Sequence, residues 1–380
     1  MISSTGCVMT HHGLMIDRMG TISPCCVYAA GDYPSDIPYH DHERYNQEIQ
    51  QVMIDDFEND RPHPACAKCY RTESLQGSSL RLYYNHAYGN DRVLMGKGPV
   101  YHLELRLGNI CNLKCMMCWP GASTALAAER WLHKEKFASI TLQVEDLQNI
   151  DPWWRTDRFR AWYLTLIPQL RYIHFTGGEP FMIPEVIDFL KLAWPYRHSL
   201  ALGFNTNLTL APDSMIDLLK DWPKVQVSVS LEGVSHMNDY VRYPSDWSII
   251  HSNLLRIKSC VPRARISVNH TVQHASAYSL PALADYCQDH DLPLVLSLVE
   301  GSPDLSWNSV PPRDLVKLQA WIDNSTTITD TNRHFLRNLM NITHFDHDCY
   351  HRFRRYVEVL DEIRHTSWDQ TFEPSMIDTA

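Results

Sequence analysis

The chain lacks any stretch long and apolar enough to span a bilayer. Its first residues, Met-Ile-Ser-Ser-Thr-Gly-Cys, do not place a basic segment before an apolar one, so no secretory signal is read. Positive charge is not in excess: 34 Lys and Arg stand against 44 Asp and Glu, a formal net charge of -10. That balance argues against a nucleic-acid backbone as principal partner. Repeats and low-complexity tracts are absent. Charged residues make up 21% and hydrophobic ones 44%, the composition of a globular chain and not of a disordered one. Neither a membrane nor a nucleic acid is expected as a partner, and a cytoplasmic location is. The 380 residues suffice for two or three domains with a large core.

An even cysteine count is also missing. Eleven cysteines in a chain without an export signal argue against a disulfide framework and for cytosolic thiols bound to metal. In that setting the four Asn-x-Ser/Thr sequons, at Asn207, Asn269, Asn324 and Asn341, are chance occurrences.

Three of the cysteines stand together. Cys111, Cys115 and Cys118 occupy the run Leu-Gly-Asn-Ile-Cys-Asn-Leu-Lys-Cys-Met-Met-Cys, a Cys-x3-Cys-x2-Cys spacing. One short loop thus offers three thiolates and no fourth. Three thiolates can hold three irons of a cubane 4Fe–4S cluster and leave the last iron open to a small molecule, as catalytic metal sites keep a position free. By spacing alone, a zinc knuckle short of one ligand or three buried thiols would look the same.

Between about residues 99 and 300 apolar β-rich runs alternate with amphipathic helical runs. Strands are predicted at Leu103–Leu107, Tyr172–Phe175, Leu200–Asn205, Val225–Leu231, Ile266–Val272 and Leu292–Leu298. Helices are predicted over Ser123–His133, from Pro184, after Pro212, after Ser245, and around Leu280–Tyr286. Six β/α units in series predict an α/β fold with a parallel sheet. The stretch Glu145–Leu170, carrying Trp153, Trp154 and Trp162, reads as an insertion. Helical runs follow, including Arg313–Trp321 and Tyr350–Ile363. In β/α barrels, chemistry sits at the C-terminal ends of the strands, and that is where the remaining motifs fall. The cysteine loop follows the first strand. Phe175-Thr176-Gly177-Gly178-Glu179-Pro180 follows the second, with two glycines for close backbone approach and a carboxylate for an ammonium group. Asn205-Thr206-Asn207 ends the third. Ser228-Val229-Ser230-Leu231-Glu232-Gly233 ends the fourth, with Arg242 downstream.

This combination resembles the radical S-adenosylmethionine (SAM) superfamily. The resemblance implies a partial (β/α)6 TIM-like barrel. It also implies an enzyme in which Cys111, Cys115 and Cys118 bind a 4Fe–4S cluster that cleaves SAM to a 5′-deoxyadenosyl radical, which abstracts hydrogen from a substrate. By resemblance Gly177, Gly178 and Glu179 hold the SAM amino group, Thr206 and Asn207 line its pocket, and Ser230 and Arg242 meet its ribose or carboxylate. Two positions depart from relatives. Glu232 stands where they carry Asp, and Met117 where many carry an aromatic that packs on adenine; Met117, through its sulfur, or Trp119 takes that place.

A second cysteine set lies near the N-terminus. Cys7 and Cys25 bracket a predicted hairpin, Leu14–Asp17 and Thr21–Ser23, whose turn needs Gly20. An amphipathic helix with Ile49, Val52, Met53 and Phe57 follows, and then Cys66 and Cys69 as Cys-x2-Cys. The pattern resembles the twitch or SPASM auxiliary module, which implies a second 4Fe–4S cluster on Cys7, Cys25, Cys66 and Cys69. A structural zinc on the same four thiolates is the alternative, and Cys26 could replace Cys25. The segment Glu73…Gly77-Ser78-Ser79-Leu80-Arg81 reads as a linker without chemistry. His344, Asp346, His347, Asp348, Cys349 and His351 crowd together without ligand spacing and read as a polar helix cap or solvated surface, the alternative being a metal site or substrate acid/base group. Cys260 and Cys287 read as buried small hydrophobes.

The expected domains are 1-98, the auxiliary module; 99-300, the radical SAM core; and 301-380, a helical C-terminal cap. An electron donor such as flavodoxin or ferredoxin is the implied partner. The substrate, a peptide, protein or small molecule, does not follow from the residues; no separate leader-peptide-binding domain is read. The alternative function is a non-catalytic zinc- or Fe–S-binding scaffold.

Overall fold

The computed structural model describes residues 4–89, 99–138, 140, 151–299, 301 and 303–372. It divides into two compact units. The first comprises Met1–Asn109, Ile150–Asn205 and Asp217–Gln226; the second comprises Ile110–Asn149, Thr206–Ile216 and Val227–Ala380.

Strands of the first unit are β1 (Gly13–Ile16), β2 (Ile22–Ser23), β3 (His102–Arg106), β4 (Tyr172–Thr176) and β5 (Ala201–Thr206, whose last residue belongs to the second unit). They lie in the order β2-β1-β3-β4-β5. Only the β1–β2 hairpin is antiparallel; β1·β3, β3·β4 and β4·β5 are parallel. Alternation sorts the side chains. Leu103, Leu105, Ile173, Phe175, Leu202 and Phe204 are buried on one face. The other face carries His102, Glu104 and Arg106 on β3, Tyr172 and His174 on β4, and Gly203 and Asn205 on β5. Gly203 leaves room there: a Cβ would come within 1.9 Å of the Tyr172 hydroxyl, which donates to Gln226 Oε1 at 3.1 Å.

The predicted hairpin is present, with Gly20 at φ +83°. Its first strand does more than close a turn, because β1 joins β3 in parallel and extends the sheet. Gly13-Leu14-Met15-Ile16 is buried at every position, the pattern of a strand covered on both faces. The aromatic insertion begins in the undescribed residues 145–150. From residue 151 onward it packs Trp153 and Phe159 against Tyr39, and the Trp153 indole donates to Arg18 O at 3.1 Å.

In the second unit the order is β6-β7-β8, from β6 (Val225–Ser230, its first two residues in the first unit), β7 (Ala264–Val272) and β8 (Leu294–Leu298). β7 and β8 are parallel. Helices Trp247–Cys260 and Ser276–Asp289 separate these strands in sequence, and Pro312–Asn324, Asp330–Ile342 and His347–Arg364 follow. All six strands of the expected β/α series are present as β3 to β8, each end within two residues of its prediction. The fold is α/β, mostly parallel, with a helical C-terminal segment. Asp346 caps the helix His347–Arg364 by accepting from Asp348 N and Cys349 N, as the polar-cap reading expects. Cys287 is buried, but Cys260 is exposed at the end of its helix. Among the described residues no helix is long and apolar enough to cross a membrane.

Gly108 takes φ +72°, and a Cβ there would lie 2.6 Å from Cη2 of Trp154. Gly108→Ala is therefore expected to cost about 1–3 kcal/mol in urea denaturation, from overpacking and backbone strain together.

Candidate functional site

The cysteine loop in the second unit is fixed through its peptide groups. Lys114 N donates to Tyr243 O at 2.6 Å and Met116 N to Val241 O at 2.9 Å. Ser123 Oγ donates to Leu113 O at 2.6 Å while accepting from Leu126 N, so it anchors the loop and caps the next helix. From the tail helix, Tyr356 Oη donates to Met116 O at 2.7 Å and Arg364 Nη2 to Lys114 O at 2.7 Å. Arg364 also pairs with buried Glu129 at 2.7 Å. Beneath the loop Met116 packs with Tyr240, Val241, Phe353, Tyr356 and Leu360. The C-terminal segment therefore holds the cysteine loop, which its helical periodicity alone did not indicate.

The three thiols make no disulfide. Burial pushes the Cys118 thiol up to about 12, with Cys115 and Cys111 adding to the effect. Cys115 is also raised by burial, with the Arg242 guanidinium pulling the other way. A cationic metal group is what stabilises thiolates in such a place, so the donors fit an iron–sulfur group. Asn207 Nδ2 donates to Asn112 Oδ1 at 3.0 Å and lies 3.9 Å from Cys111 Sγ. Asn112 in turn donates to Thr209 Oγ1 at 2.9 Å. Thr206 Oγ1 accepts from Leu208 N, a local turn bond. Ser230 ends β6, half-buried.

Arg242 and Glu232 are both buried. Arg242 Nη2 donates to Glu232 Oε1 at 2.7 Å, and Nη1 points to Cys115 Sγ at 3.6 Å. Glu232 Oε2 accepts from Thr271 N at 3.0 Å and lies 3.3 Å from His270 Nδ1. Burial lowers the His270 pKa, with Glu232 pulling the other way. The extra length of Glu over Asp is thus used inside the protein. Of the positions flanking the cysteines, Met117 packs on the core below, whereas Trp119 is 48% exposed and is not a core residue.

Gly177, in the first unit, takes φ +84°, and a Cβ on it would lie 3.1 Å from Cβ of Arg106. Two residues on, Glu179 is buried and its Oε1 accepts from Phe181 N at 3.0 Å. This fixes the carboxylate beside Gly178 and starts the short turn Pro180–Met182.

Cys7, Cys25, Cys66 and Cys69 line one cavity in this unit, of about 330 Å³ including its open mouth, with Met9, Val27, Arg81 and Tyr84. Cys66 is the N-cap of helix Ala67–Gln76 and Cys69 lies in its first turn. Burial pushes Cys7 and Cys66 up to about 12 and raises Cys25 and Cys69. These four thiols also fit a metal group. The cavity does not collect Cys26, whose thiol sits by the Glu104 carboxylate. Among the described residues, no three His, Cys, Asp or Glu side chains are gathered tightly enough to hold a single ion.

The supposed linker braces this cavity. Arg81 binds Glu73 through two bonds, 2.9 and 2.6 Å, and donates to Ser4 O and Gly6 O beside Cys7. Gly77 at φ +67° turns the chain so that the pair can meet. Opposite charges flanking a Gly-Ser-Ser turn were the available signal. Arg81→Met should destabilise the chain by about 1–3 kcal/mol in chemical denaturation, because it removes charged hydrogen bonds to half-buried Glu73 and to two carbonyls. Cys25→Ser should lower iron uptake while Cys26→Ser does not, measured as iron bound per chain.

Parts of the chain are similar to known proteins. The Radical SAM superfamily profile matches residues 105–274. GTP 3′,8-cyclase of Aliarcobacter butzleri (strain RM4018) is 25% identical over 133 residues, 35% of this chain and 35% of that protein. GTP 3′,8-cyclase of Sulfurovum sp. (strain NBC37-1) is 24% identical over 135 residues, 36% of this chain and 35% of that one. The chain thus spans about a third of the length of these curated relatives. Among solved structures, native anSMEcpe with bound AdoMet aligns at TM-score 0.42 and 17% identity, over 58% of this chain and 59% of that one. Streptococcus suis SuiB bound to its precursor peptide SuiA aligns at TM-score 0.41 and 13% identity, over 84% and 69%. The profile runs from β3 to β7 with the cysteine loop inside it, so this part of the chain is similar to the Radical SAM superfamily.

Proposed function

We propose that the chain is an enzyme that reductively cleaves SAM and abstracts hydrogen from a peptide, protein or small-molecule substrate. The observation that carries this reading is the cysteine loop, whose backbone is clamped from Val241, Tyr243, Tyr356 and Arg364 while eight residues carry three thiols that make no disulfide. In this reading Cys111, Cys115 and Cys118 hold a 4Fe–4S cluster. The chemistry supplied by that bound group is one-electron reduction of the SAM sulfonium, yielding methionine and a 5′-deoxyadenosyl radical.

The residues of the chain then bind and orient. Gly177 and Gly178 admit the SAM amino group close to the backbone, and Glu179 accepts from it. Thr206 and Asn207 line the pocket, with Asn207 also bracing the loop. Ser230 meets the ribose or carboxylate. For the carboxylate, the donor left on Arg242 is Nε, which is buried without a partner. Cys7, Cys25, Cys66 and Cys69 hold a second cluster, and four-thiolate closure favours electron acceptance there over substrate binding. The modules proposed are 1-98, 99-300 and 301-380, with flavodoxin or ferredoxin as electron donor in a reducing cytoplasm.

Anaerobic reconstitution with iron and sulfide tests the reading. Wild type should turn brown, bind about eight irons per chain for two clusters, and form 5′-deoxyadenosine from SAM on reduction. Cys115→Ala should abolish that product and keep about four irons. A colourless, zinc-loaded chain would instead support a scaffold.

A further inference from the structure

We infer that Arg242, held by Glu232, is a positioning residue that raises the midpoint potential of a cluster on Cys111, Cys115 and Cys118 through a charged N–H···S bond to Cys115. The inference rests on reading that loop as a cluster loop. It goes beyond SAM binding, because it assigns the guanidinium to the protein's own thiolate.

Backbone pairing brings the two residues together. Lys114 N bonds to Tyr243 O and Met116 N to Val241 O. These two bonds bracket Cys115 on one side and Arg242 on the other, so the facing residues are in fixed register. The Arg242 guanidinium then places Nη1 3.6 Å from Cys115 Sγ. Its other arm is anchored on Glu232 at 2.7 Å.

Glu232 is itself held at both ends. Its N donates to Asn238 Oδ1 at 3.0 Å, its O accepts from Ser279 Oγ at 2.5 Å, and Thr271 N donates to Oε2. His270 Nδ1 lies 3.3 Å from the same oxygen. With Glu232 fully buried and Arg242 nearly so, solvent screens these charges little.

The sign follows from charge. Reduction adds an electron to the cluster, and thiolate ligands already make it negative. A cation and an N–H donor on a ligand sulfur stabilise the reduced form more than the oxidised one, so they raise the potential. Glu232 carries the opposite charge, one residue further out, and offsets part of this. Removing the cation and removing the anion must therefore move the potential in opposite directions, which a general loosening of the site cannot do.

The test uses the full chain, reconstituted anaerobically as wild type, Arg242→Gln, Arg242→Lys and Glu232→Gln. Potentials are read by electron paramagnetic resonance during reductive titration without SAM. The component followed is the one that later changes when SAM is added. Arg242→Gln should shift the potential negative, Glu232→Gln should shift it positive, and Arg242→Lys should fall between Arg242→Gln and wild type. Unshifted potentials, or shifts of the same sign in the two Gln variants, overturn the inference. If Arg242→Gln does not load iron, Glu232→Gln decides: a positive shift supports the inference and any other result overturns it. A wild type that takes up no iron overturns the reading of the loop itself, a different failure from a loaded cluster with unmoved potential.

Discussion

Peptide hydrogen bonds, not thiols, fix the cysteine loop, and the rest of the site depends on this. Leu113, Lys114 and Met116 spend their backbone groups on Ser123, Tyr243, Val241, Tyr356 and Arg364. The sulfur atoms of Cys111, Cys115 and Cys118 are therefore not needed to hold the loop. Burial makes Cys115 and Cys118 poor thiolates on their own. A site built this way is pre-shaped for a metal group and gains stability when that group arrives.

An Arg–Glu pair stands beside the thiols in each unit, buried in the second and half-buried at its glutamate in the first. In the second unit Arg242 sits on Glu232 and points at a thiol. In the first, Arg81 sits on Glu73 and donates to the carbonyls beside Cys7. A buried pair adds little net stability compared with well-packed apolar residues, but breaking one is expensive. What each pair does supply is a fixed, oriented cation, beside the Cys115 sulfur in one unit and the carbonyls next to Cys7 in the other.

Much of this was legible in the sequence. The six strands β3 to β8 follow from apolar runs punctuated by Gly, Pro and Asp, and each functional motif sits where a strand ends. The resemblance to an auxiliary module grouped Cys7, Cys25, Cys66 and Cys69, and these four thiols line one cavity. The missing parts were long-range. Nothing local in Gly13–Ile16 says that β1 will pair with β3, some ninety residues away. Nothing in the periodicity of His347–Arg364 says that Tyr356 and Arg364 will reach back to Met116 and Lys114. Glu73 and Arg81 read as linker because their pairing needs the Gly77 turn before it becomes visible. Cys26 was ambiguous beside Cys25 until the hairpin turned it toward Glu104.

The central claim is that the loop leaves one metal position for SAM. Electron–nuclear double resonance on the reduced, reconstituted chain, with SAM isotopically labelled at its amino nitrogen, tests it most directly. The account predicts a hyperfine coupling from that nitrogen to the cluster, lost in Cys115→Ala. A cluster whose spectrum ignores labelled SAM, or three thiols filled by a diamagnetic ion, would contradict it.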